Sequence, residues 1–218
     1  MGGIEGQLVI ALSILVLAWY LLGQQAMRRR GLSLLQRVRG EVALLGHEPQ
    51  LRWLGSSAFQ VSLQRPVQPF RALAVTVVLE PREIIFLWLV NRFRRRRDLL
   101  VVRGDLTARP RVPLELFREE GRSGAEAKAM AQEARWSIAP FDPSGLRLAT
   151  PSPRGVEWLH ACTGLMHDHW QALVRLSIRE TSPHILVNYT LQPKSEDNVG
   201  QIFRCLVEVA RASVPSSV

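Results

Sequence analysis

The sequence predicts an α+β protein in which one N-terminal transmembrane helix precedes a mixed α+β domain. An apolar run from Leu8 to Leu22, interrupted only by Ser13, approaches the length of a membrane span. Downstream, segments with strand-like alternation and segments with helical spacing are mixed with a predicted hairpin. We divide the chain into a short N-terminus, span and basic cluster over residues 1–30, a domain over 31–213 and a frayed tail over 214–218.

The anchor is the first element. Extended to Ile4–Gly23 it has 20 residues, about 30 Å of helix, and Trp19 and Tyr20 suit a membrane interface. A cleaved signal peptide would instead carry basic residues before its apolar core and small residues at a cleavage site. Here Glu5 precedes the run, and 23–26 is a poor cleavage site, so we predict an uncleaved anchor.

Basic residues fix the expected orientation. Arg28, Arg29 and Arg30 follow the span directly, whereas no basic residue precedes it. The positive-inside rule then places the N-terminus outside and the domain in the cytoplasm.

An amphipathic helix is predicted to open the domain. Ser33 and Gln36 form a capping-box pattern at its start, and Gly46 can close it. Its apolar residues recur at helical spacing: Leu34, Leu35, Val38, Val42 and Leu45.

Three strands and a helix are expected next. Phe59, Val61 and Leu63 alternate with polar residues, as in a half-buried strand. Arg71–Leu79 is apolar on both faces and is predicted to be a central strand. Pro81 then suits the first turn of a helix that runs to the arginines near residue 97, and Leu99–Arg103 is a short strand.

The second half of the domain repeats these signals without a residue-level repeat, although two similar blocks, 31–118 and 119–213, are conceivable. Ser123 with Glu126 is predicted to cap an alanine-rich helix to about Arg135. The later predictions are an extended segment over Gly145–Ala149, a helix from Ser152-Pro153 to about Trp170, a hairpin of Ala172–Arg179 with Ile185–Leu191, and a last helix capped by Asp197 or Asn198.

Charge is distributed unevenly along the chain. The formal net charge is +9. Between Gln24 and Arg118 there are 18 basic and 7 acidic residues, against 10 and 11 from Glu119 to Val218. A basic excess confined to the anchor-proximal half indicates a polyanionic partner, either anionic lipid headgroups or nucleic acid.

A run of arginines concentrates this charge. It comprises Arg92, Arg94, Arg95, Arg96 and Arg97, and it follows the apolar residues 84–90. One interpretation is a buried helix whose end emerges into water, with arginines near its negative dipole end. The other is a docking surface, in which Ile84, Phe86 and Trp88 meet the membrane and the arginines meet phosphates of lipid or ribosomal RNA.

Catalytic and metal-binding patterns are weak. His160, Cys162, His167 and His169 are metal-ligand types, but on a helix they form two pairs, each separated by about 10 Å along the axis. No nucleophile elbow, phosphate loop or dinucleotide fingerprint occurs. Cys162 and Cys205 form no CxxC motif and suit a reduced compartment. We therefore predict no catalytic residue, no metal and no cofactor.

The order of elements resembles a known family. Val75–Pro110, with the sequence RDLLVV, and Gly155–Ala212, with ILVNYTLQP and IFRCLVEVA, are similar in pattern to the cytosolic domain of calumin, a coiled-coil-domain endoplasmic-reticulum protein family of the PAT complex. The resemblance implies an outside N-terminus, one anchor and a cytosolic α+β domain that assists membrane-protein insertion beside the ribosome and translocon. The family's acidic segment before the anchor and its basic coiled coil after the last helix are missing, so calcium binding and ribosome contact by a tail are not implied.

Together these observations predict a single-pass, non-enzymatic adaptor or chaperone subunit. Its expected partners are the membrane, anionic lipid headgroups or ribosomal RNA, and other membrane proteins such as translocon components. The contacting residues would be Arg28, Arg29, Arg30 and the arginine run. The alternative is a membrane-anchored enzyme or metal-dependent sensor with its site around His160–His169.

Overall fold

A computed structural model of the chain describes residues 2–80, 97–141, 145–153, 155–159, 171–191 and 199–215. Its first element, α1, is a 41-residue helix over Gly2–Val42, about 60 Å long at the usual helical rise. Among the described residues, α1 is the one helix that is long and apolar enough to cross a membrane. The α+β class, with one candidate transmembrane helix ahead of a sheet and further helices, is as predicted.

The expected helix start at Ser33 is wrong, because α1 continues without a break through residues 23–42. Arg28, Arg29 and Arg30 are good helix formers, and no proline interrupts the segment. The capping-box pattern therefore lies inside a helix whose backbone groups are already bonded. The boundary that we expected at residue 30 also falls within α1.

Nine strands of the described residues form one antiparallel sheet. Its order across the sheet is β1-β2-β3-β4-β9-β8-β5-β7-β6. The strands are β1 Gly46–Trp53, β2 Ala58–Pro66, β3 Phe70–Val78, β4 Asp98–Leu106, β5 Leu114–Arg118, β6 Ser137–Phe141, β7 Leu146–Thr150, β8 Leu173–Ile178 and β9 Ile185–Leu191.

The main core lies on one face of this sheet. Alternate residues of the strands point into it, such as Val61 on β2, Val75 on β3 and Val187 on β9. The second half of α1 and a C-terminal helix, α3 over Val199–Ser213, contribute the buried side chains of the helical layer, and they pack against each other. The prediction of a central strand over Arg71–Leu79 is confirmed, since β3 lies between β2 and β4, and one of its two apolar faces is the fully buried one.

A smaller cluster lies on the opposite face. Helix α2, over Gly121–Glu133, packs there on β5, β7 and β8, and Ala127 and Ala131 meet Phe117. The predicted Ser123 cap is wrong: the N-cap position is Glu120, three residues earlier, and it makes no side-chain cap. Gly121 has a φ of +81°, which lets the chain turn sharply into the helix. Ser123 lies within α2, where its Oγ accepts a hydrogen bond of 3.2 Å from Asn188 Nδ2.

Most predicted strands are confirmed. These are β2, β3, β4, β7 and the β8–β9 hairpin, and the last predicted helix corresponds to α3. Three strands were not predicted. β1 is an exposed edge strand with few apolar residues, β5 is short and buried on both faces, and β6 is a short edge strand that contains Pro140. The predicted helix over 80–97 lies largely outside the described residues, and of the helix after Pro153 only 155–159 is described.

Candidate membrane-facing surface

Helix α1 has two halves with opposite surroundings. From Leu8 to Leu22 its large apolar side chains are mostly exposed, and the most apolar 18-residue window has no buried residue. Met27, Leu34 and Val38 are buried in the main core. Since nothing in the helix interrupts the two halves, the exposed apolar half is held rigidly in line with the domain.

The antiparallel strands place one set of strand ends beside the point where α1 enters the domain. We call this set the proximal end. It contains the β1–β2 hairpin tip at residues 54–57, the end of β3, the start of β4 and the end of β9 at Leu191, which pairs with Asp98. The opposite strand ends lie near Val42, where α1 ends, and Gly46, where β1 begins, so they are farther from the apolar half of α1.

Asp98 joins the proximal end to α1. Its Oδ2 accepts a hydrogen bond of 3.1 Å from Arg30 Nε, and its Oδ1 accepts one of 2.9 Å from the Glu80 backbone N–H. The Asp98 side chain is only 5% exposed, so the ion pair is shielded from water on one side. This arrangement locks β4 and the end of β3 to α1 two helical turns below Leu22.

The β1–β2 hairpin is held to α1 by Trp53. A side chain on Gly31 would meet the Trp53 ring at 3.1 Å and Leu79 at 3.3 Å, so the ring packs closely on the bare helix backbone. Trp53 also stacks at a tilt on Phe59, with 5.4 Å between ring centroids. The other side of Trp53 remains 42% exposed.

The predicted basic contact residues separate into three groups. Arg28 and Arg29 are exposed on α1, and Arg97 is exposed directly before Asp98, so these three share the proximal end. Arg30 is half-buried and forms an ion pair with Asp98, and the lipid or RNA contact predicted for it stays a prediction. Arg92, Arg94, Arg95 and Arg96, together with Ile84, Phe86 and Trp88, lie outside the described residues.

The histidine cluster of His160, Cys162, His167 and His169 also lies outside the described residues. Across the described ranges no group of three or more His, Cys, Asp or Glu side chains is arranged to hold a metal ion. The alternative of a site around His160–His169 therefore stays a prediction.

A buried charged cluster lies on the α2 face of the sheet. Glu115 is fully buried, and its carboxylate accepts hydrogen bonds from Arg175 at 2.8 Å, from Arg179 at 2.9 Å and from Ser177. All of its partners lie on or beside the neighbouring strand β8. The cluster therefore ties β5 to β8 through charge-assisted hydrogen bonds to a carboxylate that is shielded from solvent.

Sequence reasoning missed Asp98, Gly31 and the hairpin tip. The tip carried a usable signal, since Trp53-Leu54 is followed at once by the turn-forming residues Gly55-Ser56-Ser57. Asp98 gave no such signal, because its partner Arg30 is 68 residues away in the chain.

Comparison with known proteins leaves the chain without an assigned family. No protein-family model matches it, and no curated protein sequence matches it either. The resemblance to calumin therefore stays a prediction.

Proposed function

We propose that this chain is a single-pass membrane-anchored, non-enzymatic adaptor or chaperone subunit whose α+β domain is held against the cytoplasmic surface of the membrane. The observation that carries the proposal is the unbroken course of α1 from an exposed apolar half into the buried core. A rigid connection of this kind fixes the distance and the direction of the domain relative to a bilayer, which a flexible linker would not do.

An uncleaved anchor fits α1 better than a signal peptide. Residues 23–26, where a cleavage site would lie, are helical and continuous with the turns that carry Met27 and Leu34 into the core. Removal of the apolar half would cut the helix just above Met27, next to a packed region. These features support retention of the span in the mature protein.

The proposed orientation rests on charge. Arg28 and Arg29 are exposed about 9–11 Å below Leu22 along the helix axis, whereas Glu5 lies at the other end of the span. This difference favours an external N-terminus and a cytoplasmic domain. Arg97, at the same end of the domain, extends the basic surface beyond α1.

The partners that we propose follow from the position of these arginines. Each basic residue near an anionic membrane can contribute about 1 kcal/mol of binding free energy. The arginine run, which ends at Arg97, would reach anionic lipid headgroups or the RNA of a membrane-bound ribosome. A basic domain held at this height suits an adaptor that assists insertion of other membrane proteins beside the translocon.

Topology is the first test. A reporter that is active only in the cytoplasm is fused after Val218, and we expect activity in intact cells together with resistance of the protein to alkaline extraction from membranes. A matched chain that begins at Gln24 should be released from membranes by the same alkaline extraction. Activity of an external reporter at the same position, with a silent cytoplasmic one, would contradict the proposed orientation.

The adaptor role needs a second test. Ribosomes carrying a nascent multipass membrane protein are isolated in mild detergent, and site-specific crosslinks from the domain are compared with those to a nascent cytosolic protein. We expect crosslinks to the membrane-protein chain alone. Equal crosslinking to both chains, or to neither, would argue against a role in membrane-protein insertion.

A further inference from the structure

The tip of the β1–β2 hairpin presents apolar side chains in a place where the core does not use them. Leu54 is 45% exposed and Trp53 is 42% exposed. Gly55 and Ser56, which complete the turn, are exposed as well. In a hairpin that simply projected into water, this position would favour polar residues.

The height of the tip is set by its neighbours on α1. Gly55 and Ser56 line a groove of about 510 Å³ together with Gln24, Arg28 and Leu32. The α1 residues of the groove, from Gln24 to Leu32, lie about 3–15 Å past Leu22 along the helix axis, and Gly31, on which Trp53 packs, lies about 13 Å past it. The headgroup region on each side of a bilayer is roughly 5–8 Å thick. When α1 spans the membrane, the turn residues, which lie beyond Trp53 toward the span, are therefore level with that region, and Trp53 lies at its outer edge.

The tip is also held firmly. The Leu54 N–H donates to the Ala58 carbonyl at 2.8 Å, which closes the hairpin, and the Leu79 N–H donates to the Ser57 carbonyl at 2.7 Å, which ties it to the end of β3. Trp53 packs on Gly31 of α1 beneath it. The exposed side chains therefore cannot fold back onto the domain without breaking these contacts.

We propose that the β1–β2 hairpin tip, with Trp53 and Leu54, is a second membrane contact that sits in the interface of the same bilayer that α1 crosses. Tryptophan favours this region because its ring is apolar while its N–H is polar. Arg28, on the wall of the groove, faces the headgroup phosphates at the same height. A second contact beside α1 restricts rotation of the domain about the helix axis, which keeps its basic surface against the membrane.

This inference rests on the proposed membrane anchoring, and one experiment separates the two. The full chain, with Cys162→Ser and Cys205→Ala, is placed in nanodiscs of phosphatidylcholine and phosphatidylglycerol. A nitroxide is attached at Ser56→Cys, at Leu15→Cys in the span, or at Ala108→Cys, an exposed position two residues past the far end of β4. Collisions with oxygen, which concentrates in lipid, and with a water-soluble nickel complex are then measured.

We expect the label at residue 56 to collide several-fold more with oxygen, relative to nickel, than the label at residue 108. The label at residue 15 should give the highest ratio. A high ratio at residue 15 with equal ratios at residues 56 and 108 would overturn the hairpin contact alone. A low ratio at residue 15 would overturn the anchor, and both proposals with it. A residue-56 label shielded from both reagents would mean that protein, such as a second copy of this chain, covers the tip, which also overturns the inference.

A substitution supplies a matched control. Leu54→Glu should return the label at residue 56 to a water-like ratio, because a carboxylate resists entry into the interface. Leu51→Glu changes a leucine of almost equal exposure, 46%, three residues farther along β1, about 10 Å from the tip. It should leave the ratio at residue 56 unchanged, and an equal loss in both variants would overturn the inference.

Discussion

Arg30 Nε lies 3.1 Å from Asp98 Oδ2, so the basic turns of α1 that follow the span are joined directly to the start of β4. Asp98 also accepts the Glu80 N–H, and it follows Arg97, the last residue of the arginine run. One carboxylate thus connects the candidate anchor helix, the sheet and the basic segment. The relative height of these three parts depends on it.

Asp98→Asn tests this connection. The amide can still accept the Glu80 N–H but loses the charge that holds Arg30, so we expect a loss of about 1–3 kcal/mol in the free energy of unfolding. Denaturant titration of the full chain in detergent measures it. Asp105→Asn, at the other end of β4, is the control, because the Asp105 carboxylate lies 3.6 Å from His184 Nδ1, beyond hydrogen-bond distance. Equal losses in both variants would contradict a special role for the Arg30 pair.

Glu115→Gln should be among the most destabilising single changes at a polar residue in the described chain. It leaves Arg175, 6% exposed, and Arg179 without their carboxylate partner. Breaking one side of a buried ion pair costs about 3–5 kcal/mol, which thermal or denaturant unfolding would reveal. An unchanged midpoint would mean that water reaches the cluster.

Glu119 offers a contrast at the surface. A hydrogen bond from Lys128, with the nearby charges of Arg147 and Lys128, lowers the pKa of the Glu119 carboxyl below its ordinary value. Its stabilising contribution is therefore present above the ordinary pKa of a glutamate and is lost as pH falls through the lowered value. Because the group is solvent-exposed, we expect Glu119→Gln to change stability at neutral pH far less than Glu115→Gln.

Two glycines on helices should respond in opposite directions to alanine. A side chain at Gly40 on α1 would meet no atom within 4 Å, so Gly40→Ala should stabilise by about 0.5–1 kcal/mol. A side chain at Gly124 would overlap the Arg118 carbonyl, so Gly124→Ala should destabilise by about 1–3 kcal/mol as α2 is pushed from β5. Parallel unfolding curves of the two variants check the signs.

The arginine run should act in binding rather than in folding. Changing Arg94–Arg97 to glutamine removes like charges that repel one another, so we expect an unchanged or slightly raised melting temperature. Binding to anionic vesicles or ribosomes should fall strongly, and wild-type binding should weaken as salt rises. A wild-type domain that binds neither at low salt would leave the run as a solvated helix end.

The histidines provide a last prediction. His167→Ala combined with His169→Ala should leave folding and function intact, since the helix that the sequence predicts there would keep the four candidate ligands from converging. Metal analysis of the purified chain checks the same point. Stoichiometric zinc, together with a loss of thermal stability that chelation of the wild type reproduces, would favour the alternative of a metal-dependent sensor or enzyme.

Local patterns in the sequence were sufficient for much of this fold. The apolar run through Leu8–Leu22 predicts a candidate span because its length and lack of charge need no information from elsewhere in the chain. The alternation in β2 and the apolar stripe of α3 are equally local, since each reflects one element that buries one face. The β8–β9 hairpin was readable because its two strands are neighbours joined by a turn.

Only the tertiary structure determined those features that depend on contacts between residues far apart in the sequence. α1 passes through the expected cap at Ser33 because its second half packs against the sheet and α3, and such packing outweighs a local capping preference. β1, with mostly exposed side chains, becomes a strand by pairing with β2, and its tip gains its height from Trp53 on Gly31. The sequence by itself determined an anchor-like helix, an α+β domain and a basic half. Only the folded chain brings Arg30 to Asp98 and so sets which charges lie beside the span, because that contact joins residues whose separation in sequence carries no local signal.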